Sequence, residues 1–350
     1  MNYTNDTKIF NLVGAEAVLT ECHDFRKYLT GIETSFGYVL TDKESSVFYT
    51  DSRYIEGAKN ALSGTGIAVK NFSETSLEKI LAPYKQVAIP VGRTLYPEYD
   101  KLRSFGLEIV DSLPAFKKAM AVKESNEIAF IKKACEITDK SFCELLSLIK
   151  EGMTENEVAA ELEYLMRKNG ASGTSFDTIV AFGENSSVPH HETGLRKLKY
   201  GDIVLIDFGC KYNGYCSDCT RTFLFGDDKK HDDFKSAYEK VLEAHLIAKQ
   251  KITNDITGKQ ADAYARDCLK KYGLDKYFTH SLGHGIGINI HEFPAISPKS
   301  EDILLNGMVF SDEPGVYFEG KFGIRIEDSV MLDCGKVVSL TDSDKNLIIL

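Results

Sequence analysis

No stretch of this 350-residue chain approaches the length of a membrane-spanning helix, and its opening, MNYTNDTKIF, has no apolar signal-peptide core. Both absences point to a cytoplasmic protein with no membrane partner. Positive charge is also short, since 42 Lys and Arg face 52 Asp and Glu for a formal net charge of -10. That balance argues against nonspecific nucleic-acid binding and against docking on anionic lipid. No Gly/Ser-rich linker divides the chain, although its length fits two domains better than one. Cysteine is not scarce, with eight residues, but they are scattered and no export signal accompanies them, so reduced thiols are expected. Cys216 and Cys219 form a C-x-x-C spacing, yet positions three apart on a strand face opposite sides and their sulfurs should not converge.

What is present describes an ordinary globular chain, 43% hydrophobic and 27% charged. Roughly the first 120 residues alternate strand-like runs (Phe36 to Leu40, Val47 to Tyr49) with helical stretches such as Tyr54 to Leu62. They read as a small α/β domain over residues 1-121. A long helical segment, Asn126 to Ile149, follows, so the boundary is placed near Val122 and a second domain over 122-350. The second domain repeats itself at an offset of 103: Thr154-x-x-Glu157 and Thr257-x-x-Gln260 are both capping-box patterns, and a glycine, Gly170 or Gly273, stands sixteen residues after each threonine. Two related α/β halves are expected, with their sheets packed into one curved, largely antiparallel unit.

Five potential metal ligands, Asp207, Asp218, His284, Glu313 and Glu327, stand in short strand-like and turn-like stretches of this second domain. Asp207 closes the apolar run Ile203 to Ile206, and Asp218 follows across Asn213-Gly214, a two-residue hairpin signal. If Tyr212 pairs with Tyr215, then Asp207 pairs with Thr220 and Asp218 becomes its diagonal neighbour on the same face. Glu313 and Glu327 lie seven residues either side of Gly320, so a symmetric hairpin sets them opposite each other. Like charges there repel unless cations intervene, and four carboxylates with one imidazole match a pair of divalent ions. Ordinary polar faces of two hairpins would explain either pair alone; both pairs with a glycine-flanked histidine point to one shared site. Arg325, two residues before Glu327, falls on the same face and is placed to pair with a carboxylate of that site.

The segments IVLIDFGCKYNGYCSDCTRT (Ile203 to Thr222), HSLGHGIGINIHE (His280 to Glu292), DEPGVY (Asp312 to Tyr317) and GIRIED (Gly323 to Asp328) resemble the pita-bread metallopeptidases, within them the aminopeptidase P and prolidase branch. SFDTIVAFGENSSVPH (Ser175 to His190) and TDSRYIEGAK (Thr50 to Lys59) extend the likeness over nearly the whole chain. The resemblance implies a creatinase/prolidase-like N-terminal α/β domain and a pseudo-twofold pita-bread catalytic domain. It implies that Asp218 and Glu327 bridge two ions, that Asp207 binds one alone, and that His284 and Glu313 bind the other. Glu313 would also shuttle a proton, His291 would stabilise the oxyanion, and His190 would contact substrate. His280 would line the pocket beyond the scissile bond or serve as a structural hydrogen-bonding residue. His191 follows His190 where the family often has a small residue, and is expected to be solvent-exposed. His23, His231 and His245 are read as surface or satisfied-core residues.

The expected activity is a two-metal aminopeptidase releasing the residue before proline from proline-containing peptides. Mn²⁺ is the leading metal, with Zn²⁺, Co²⁺ and Fe²⁺ feasible. The alternative is an Xaa-Pro dipeptidase (prolidase): many prolidases of this length carry an arginine after the HE-x-P stretch, where this chain has Ala295. A non-catalytic peptide-binding member is disfavoured because all five ligands are present. A homodimer is implied by the resemblance.

Overall fold

The computed structural model describes residues 5-227 and 231-350. The chain forms two compact units, one up to Met120 and one from Ala121 onward. No helix among the described residues is long and apolar enough to cross a membrane.

The first unit is a mixed six-stranded sheet of β1 (Ala17–Thr20), β2 (Tyr38–Asp42), β3 (Ser46–Thr50), β4 (Ile67–Asn71), β5 (Gln86–Ile89) and β6 (Glu108–Asp111), in the order β4-β3-β2-β1-β5-β6. The β1-β2 and β2-β3 pairs are antiparallel, whereas β3-β4, β1-β5 and β5-β6 are parallel and therefore need crossovers. Helices α1 (Asn5–Val13), α2 (His23–Thr30), α3 (Ile55–Ala61), α4 (Leu77–Leu81), α5 (Tyr96–Ser104) and α6 (Leu113–Ala121) complete the α/β pattern. Leu40, Val47, Val87 and Ile89 fill a core with Leu81 and Leu102 from the helices.

The second unit opens with α7 (Ser125–Leu146) and contains α8 (Glu155–Lys168), α9 (Asp232–Lys251) and α10 (Gly258–Lys270). The repeat is visible in its helices. Thr154 and Thr257 each cap a helix with a reciprocal capping box, to Glu157 and Gln260. Val158, Leu162, Leu165 and Met166 are buried on α8, and Ala261, Ala265, Cys268 and Leu269 occupy the same positions on α10 at the same offset of 103. The i, i+4, i+7, i+8 spacing gives each helix one apolar stripe to lay on the sheet.

The remaining strands are β7 (Gly173–Thr174), β8 (Ile179–Phe182), β9 (Asp202–Phe208), β10 (Cys210–Tyr212), β11 (Tyr215–Cys216), β12 (Cys219–Phe225), β13 (Gly283–Gly285), β14 (Glu292–Ile296), β15 (Val309–Asp312), β16 (Gly315–Phe318), β17 (Phe322–Arg325), β18 (Glu327–Asp333) and β19 (Lys336–Ser339). Eight of them form an antiparallel sheet in the order β14-β13-β15-β18-β12-β9-β8, with β19 added to β18.

Both hairpins have the expected register. Asn213 and Gly214 adopt the positive φ that a two-residue turn requires, Tyr212 pairs with Tyr215, and Asp207 pairs with Thr220. The second hairpin keeps one register across its length, from Phe318 with Phe322 to Asp312 with Asp328. All eight cysteines are free thiols, and Cys216 and Cys219 are both buried.

Candidate metal centre

Five neighbouring elements of the sheet bring the carboxylates and the imidazole together in strand order. His284 stands on β13, Glu313 one residue past β15, Glu327 at the start of β18, Asp218 one residue before β12, and Asp207 near the end of β9. A transverse row runs Ile179, Asp207, Thr220, Glu327, and alternation along the strands turns these side chains to one face. The strands are pressed close at this row: a methyl added to Gly283 would sit 1.9 Å from the Ser311 carbonyl oxygen, and one on Gly209 2.0 Å from that of Ser217. Only glycine permits that approach beside the candidate ligands.

Asp218, His284 and Glu327 each offer an atom within 4.8 Å of the others. His284 Nε2 lies 3.5 Å from Asp218 Oδ2 and 3.5 Å from Glu313 Oε1. A proton on His284 Nδ1 is donated to the Gly285 carbonyl at 3.2 Å, leaving the Nε2 lone pair turned to the carboxylates. Burial and the nearby His291 push His284 down to about 4, so the imidazole is neutral. Thr220 Oγ1 donates to Glu327 Oε2 at 2.6 Å, and Ser311 Oγ to Glu313 Oε1 at 3.1 Å.

The acids are held out of their ordinary range. Burial, then repulsion from Glu327 and Asp207, raises Asp218 well above the usual carboxylate value, and burial with Glu313 and Asp207 does the same to Glu327. Burial raises Glu313 to about 8, against the pull of Arg325. Arg325 is the one guanidinium among these groups; it bonds Asp207 Oδ2 at 2.6 Å, Tyr317 Oη at 2.7 Å and Thr220 Oγ1 at 2.9 Å. Asp207 Oδ1 is buried with no hydrogen-bond partner. One arginine cannot balance four clustered carboxylates, two of them buried, and an orphaned carboxylate oxygen in a cavity that also holds a neutral imidazole fits an oxygen-rich divalent cation site.

His190, His280, His291 and Arg325 line the same cavity, of about 500 Å³, as the five candidate ligands. His280 donates or accepts through Nε2 with Tyr317 Oη at 3.0 Å, and burial with Arg325 pushes it down to about 3. The ring of His291 lies 4.1 Å, centroid to centroid, from that of His284, and burial lowers its pKa. His190 is exposed.

Three placements differ from the sequence expectation or were missed by it. His191 is not a free surface group: its Nε2 lies 2.9 Å from Oε2 of the fully buried Glu155, because the chain folds back over the start of α8. Tyr317 joins His280 to Arg325; its position inside DEPGVY was the only available signal. His245 is completely buried, the core alternative of its sequence reading, but its partners Asp312 and Asp328 were not foreseen from its helical surroundings.

The sequence pattern of metallopeptidase family M24 matches residues 129–333. The Xaa-Pro dipeptidase of Pyrococcus furiosus is 38% identical over 314 residues, 89% of each chain. Among solved structures, the Xaa-Pro dipeptidase from Bacillus anthracis superposes with a TM-score of 0.93 at 34% identity, covering 100% of this chain and 99% of its own. The X-Pro aminopeptidase from Thermotoga maritima gives a TM-score of 0.90 at 36% identity, covering 98% and 99%.

Proposed function

Since the chain belongs to metallopeptidase family M24, with the pita-bread fold of its prolidase and aminopeptidase P branch, and is a metal-dependent exopeptidase, we propose that it acts as an Xaa-Pro dipeptidase. The observation that carries this reading is the convergence of four carboxylates and a neutral imidazole on one cavity with a single arginine against them. In this proposal Asp207, Asp218, His284, Glu313 and Glu327 hold two divalent ions, and the oxygen-rich donor set favours Mn²⁺. When bound, such ions acidify water and polarise a peptide carbonyl.

The chain's own groups do the rest. Glu313, steadied by Ser311, carries a proton from water to the leaving proline nitrogen, a contribution typically worth about 10² to 10⁴ in rate. His291 donates to the oxyanion. Arg325 fixes Asp207, and through Tyr317 it fixes His280 against the prolyl segment. His190, exposed and lining the cavity, takes the terminal carboxylate.

The dipeptidase assignment follows the Pyrococcus and Bacillus relatives. An Xaa-Pro aminopeptidase is the second reading, favoured by Ala295, which lines the cavity where a carboxylate-binding arginine would suit a dipeptidase. Comparing kcat/KM for Ala-Pro with that for Ala-Pro extended by one or more residues, at matched metal saturation, separates the two. Preference for the dipeptide supports the first reading and preference for the extended peptide replaces it with the second. Equal hydrolysis of peptides lacking proline contradicts both. A homodimer remains part of the proposal, checked by light scattering.

A further inference from the structure

Oε1 and Oε2 of Glu155, the first residue of α8, are both fully used although the side chain never reaches the cavity. Oε1 accepts from the Phe182 amide at 2.9 Å and from Asn185 Nδ2 at 2.8 Å. Oε2 accepts from the Gly194 amide at 3.0 Å and meets His191 Nε2 at 2.9 Å. The residue is 0% exposed, and the start of a helix favours its negative charge. The backbone repeats the attachment, since the Glu155 amide donates to the Arg196 carbonyl and the Asn156 amide to that of Gly194. These partners all lie on the single stretch between Phe182 and Arg196, and His190 stands near its middle.

His190 is therefore gripped on both sides. The Pro189 carbonyl before it accepts from Arg325 Nη1 at 3.4 Å, and the His191 imidazole after it is tied to Glu155. Loops are ordinarily the mobile part of a binding site, and here a buried carboxylate with four donors replaces loop freedom by a fixed backbone path.

We propose that Glu155 and His191 form a positioning pair that holds the His190 loop, so that His190 meets the substrate carboxylate at a set place. This rests on the role given to His190 above. Neither residue of the pair touches substrate. Their effect on catalysis passes through His190, and that dependence distinguishes positioning from general stability.

The test is steady-state kinetics on an Xaa-Pro dipeptide for His191→Ala, His191→Gln and Glu155→Gln, each also made in a His190→Ala background. His191→Ala and Glu155→Gln should raise KM roughly tenfold while kcat stays within about twofold, the scale expected for a displaced recognition group. His191→Gln, which keeps a donor towards Glu155, should recover most of the loss. In the His190→Ala background neither substitution should have a further effect. Multiplicative losses there, or an unchanged KM in His191→Ala, would overturn the proposal. If Glu155→Gln fails to fold, His191→Ala decides alone. An arm independent of turnover uses nitrogen-15 histidine spectra of the metal-free protein, with the His190 signal assigned by its loss in His190→Ala. The signal should shift or broaden in His191→Ala while that of His245 stays; an unmoved signal overturns the positioning role even if the wild type cleaves no Xaa-Pro peptide.

Discussion

Adjacent rows of the eight-stranded sheet carry carboxylates on opposite faces. In one row Asp207 and Glu327 flank Thr220 and turn, with Asp218 and Glu313, towards the cavity. In the next row Asp312 and Asp328 pair directly across β15 and β18 and turn towards α9. There the protein supplies its own cations. His245 Nδ1 is 3.3 Å from Asp312 Oδ2 and its Nε2 is 3.5 Å from Asp328 Oδ2; Arg221 bonds Asp328 Oδ1 at 2.8 Å, and Lys345 reaches Oδ2 at 3.0 Å. Burial alone would raise Asp328, but the His245 hydrogen bond and the Arg221 guanidinium hold it well below the ordinary carboxylate value. Asp312 is less relieved, since burial pushes it up to about 7 against the pull of His245. On the cavity face Asp218, Glu313 and Glu327 are all pushed upward, with no acid held low as Asp328 is. Opposed acids in this sheet thus differ in their counter-charge: side chains neutralise Asp328 on one face, while on the other the acids of the proposed metal site face only Arg325.

The largest expected effect breaks the cavity face chemically. Glu313→Gln should lower kcat by about 10² to 10⁴, the usual worth of a lost acid/base group, while the metal-free protein at neutral pH melts no earlier than wild type because the cost of keeping this carboxyl protonated has gone. Enzyme assay and a thermal melt of the same sample check both halves. The matching change on the other face should do the reverse. Asp328→Asn leaves Arg221 buried without its partner, and urea denaturation should show a loss of about 3 to 5 kcal/mol.

A pH series sharpens the contrast. Glu313 is raised in the folded state from 4.5 to about 8, so between these values the folded protein holds a proton that the unfolded chain has released. The resulting destabilisation is absent below about pH 4.5 and complete above about pH 8, so the melting temperature of metal-free protein should fall as pH rises through that window. His245, raised by Asp312 and Asp328 against burial, contributes stability that is also lost on rising pH, so the diagnostic quantity is the smaller fall in Glu313→Gln. The smallest expected effect is that of Lys345→Met. Arg221 and His245 still face Asp328, and the cost should be about 1 kcal/mol or less by urea denaturation.

Local rules make much of this legible in the sequence. The register of both hairpins follows from Asn213-Gly214 and Gly320, and from it the side on which each of the four candidate carboxylates lies. The capping boxes at Thr154 and Thr257 carry the repeat because a cap is a three-residue signal. His191, Tyr317 and His245 resisted for the opposite reason. Their partners are 36, 37 and 67 or more residues away, and no periodicity or turn chemistry reports contacts made by folding back. The second acidic face was equally hidden, since Asp312 and Asp328 read in sequence only as neighbours of the candidate ligands.

If external cations do for the cavity face what His245, Arg221 and Lys345 do for Asp328, the four cavity carboxylates and His284 take up a pair of divalent ions. Calorimetric titration of metal-free protein with Mn²⁺ tests it directly, alongside Asp218→Asn and Asp328→Asn. Two ions per chain are expected for the wild type and Asp328→Asn, and at least one should be lost in Asp218→Asn. Binding of one ion or none by the wild type, or unchanged binding in Asp218→Asn, would contradict it.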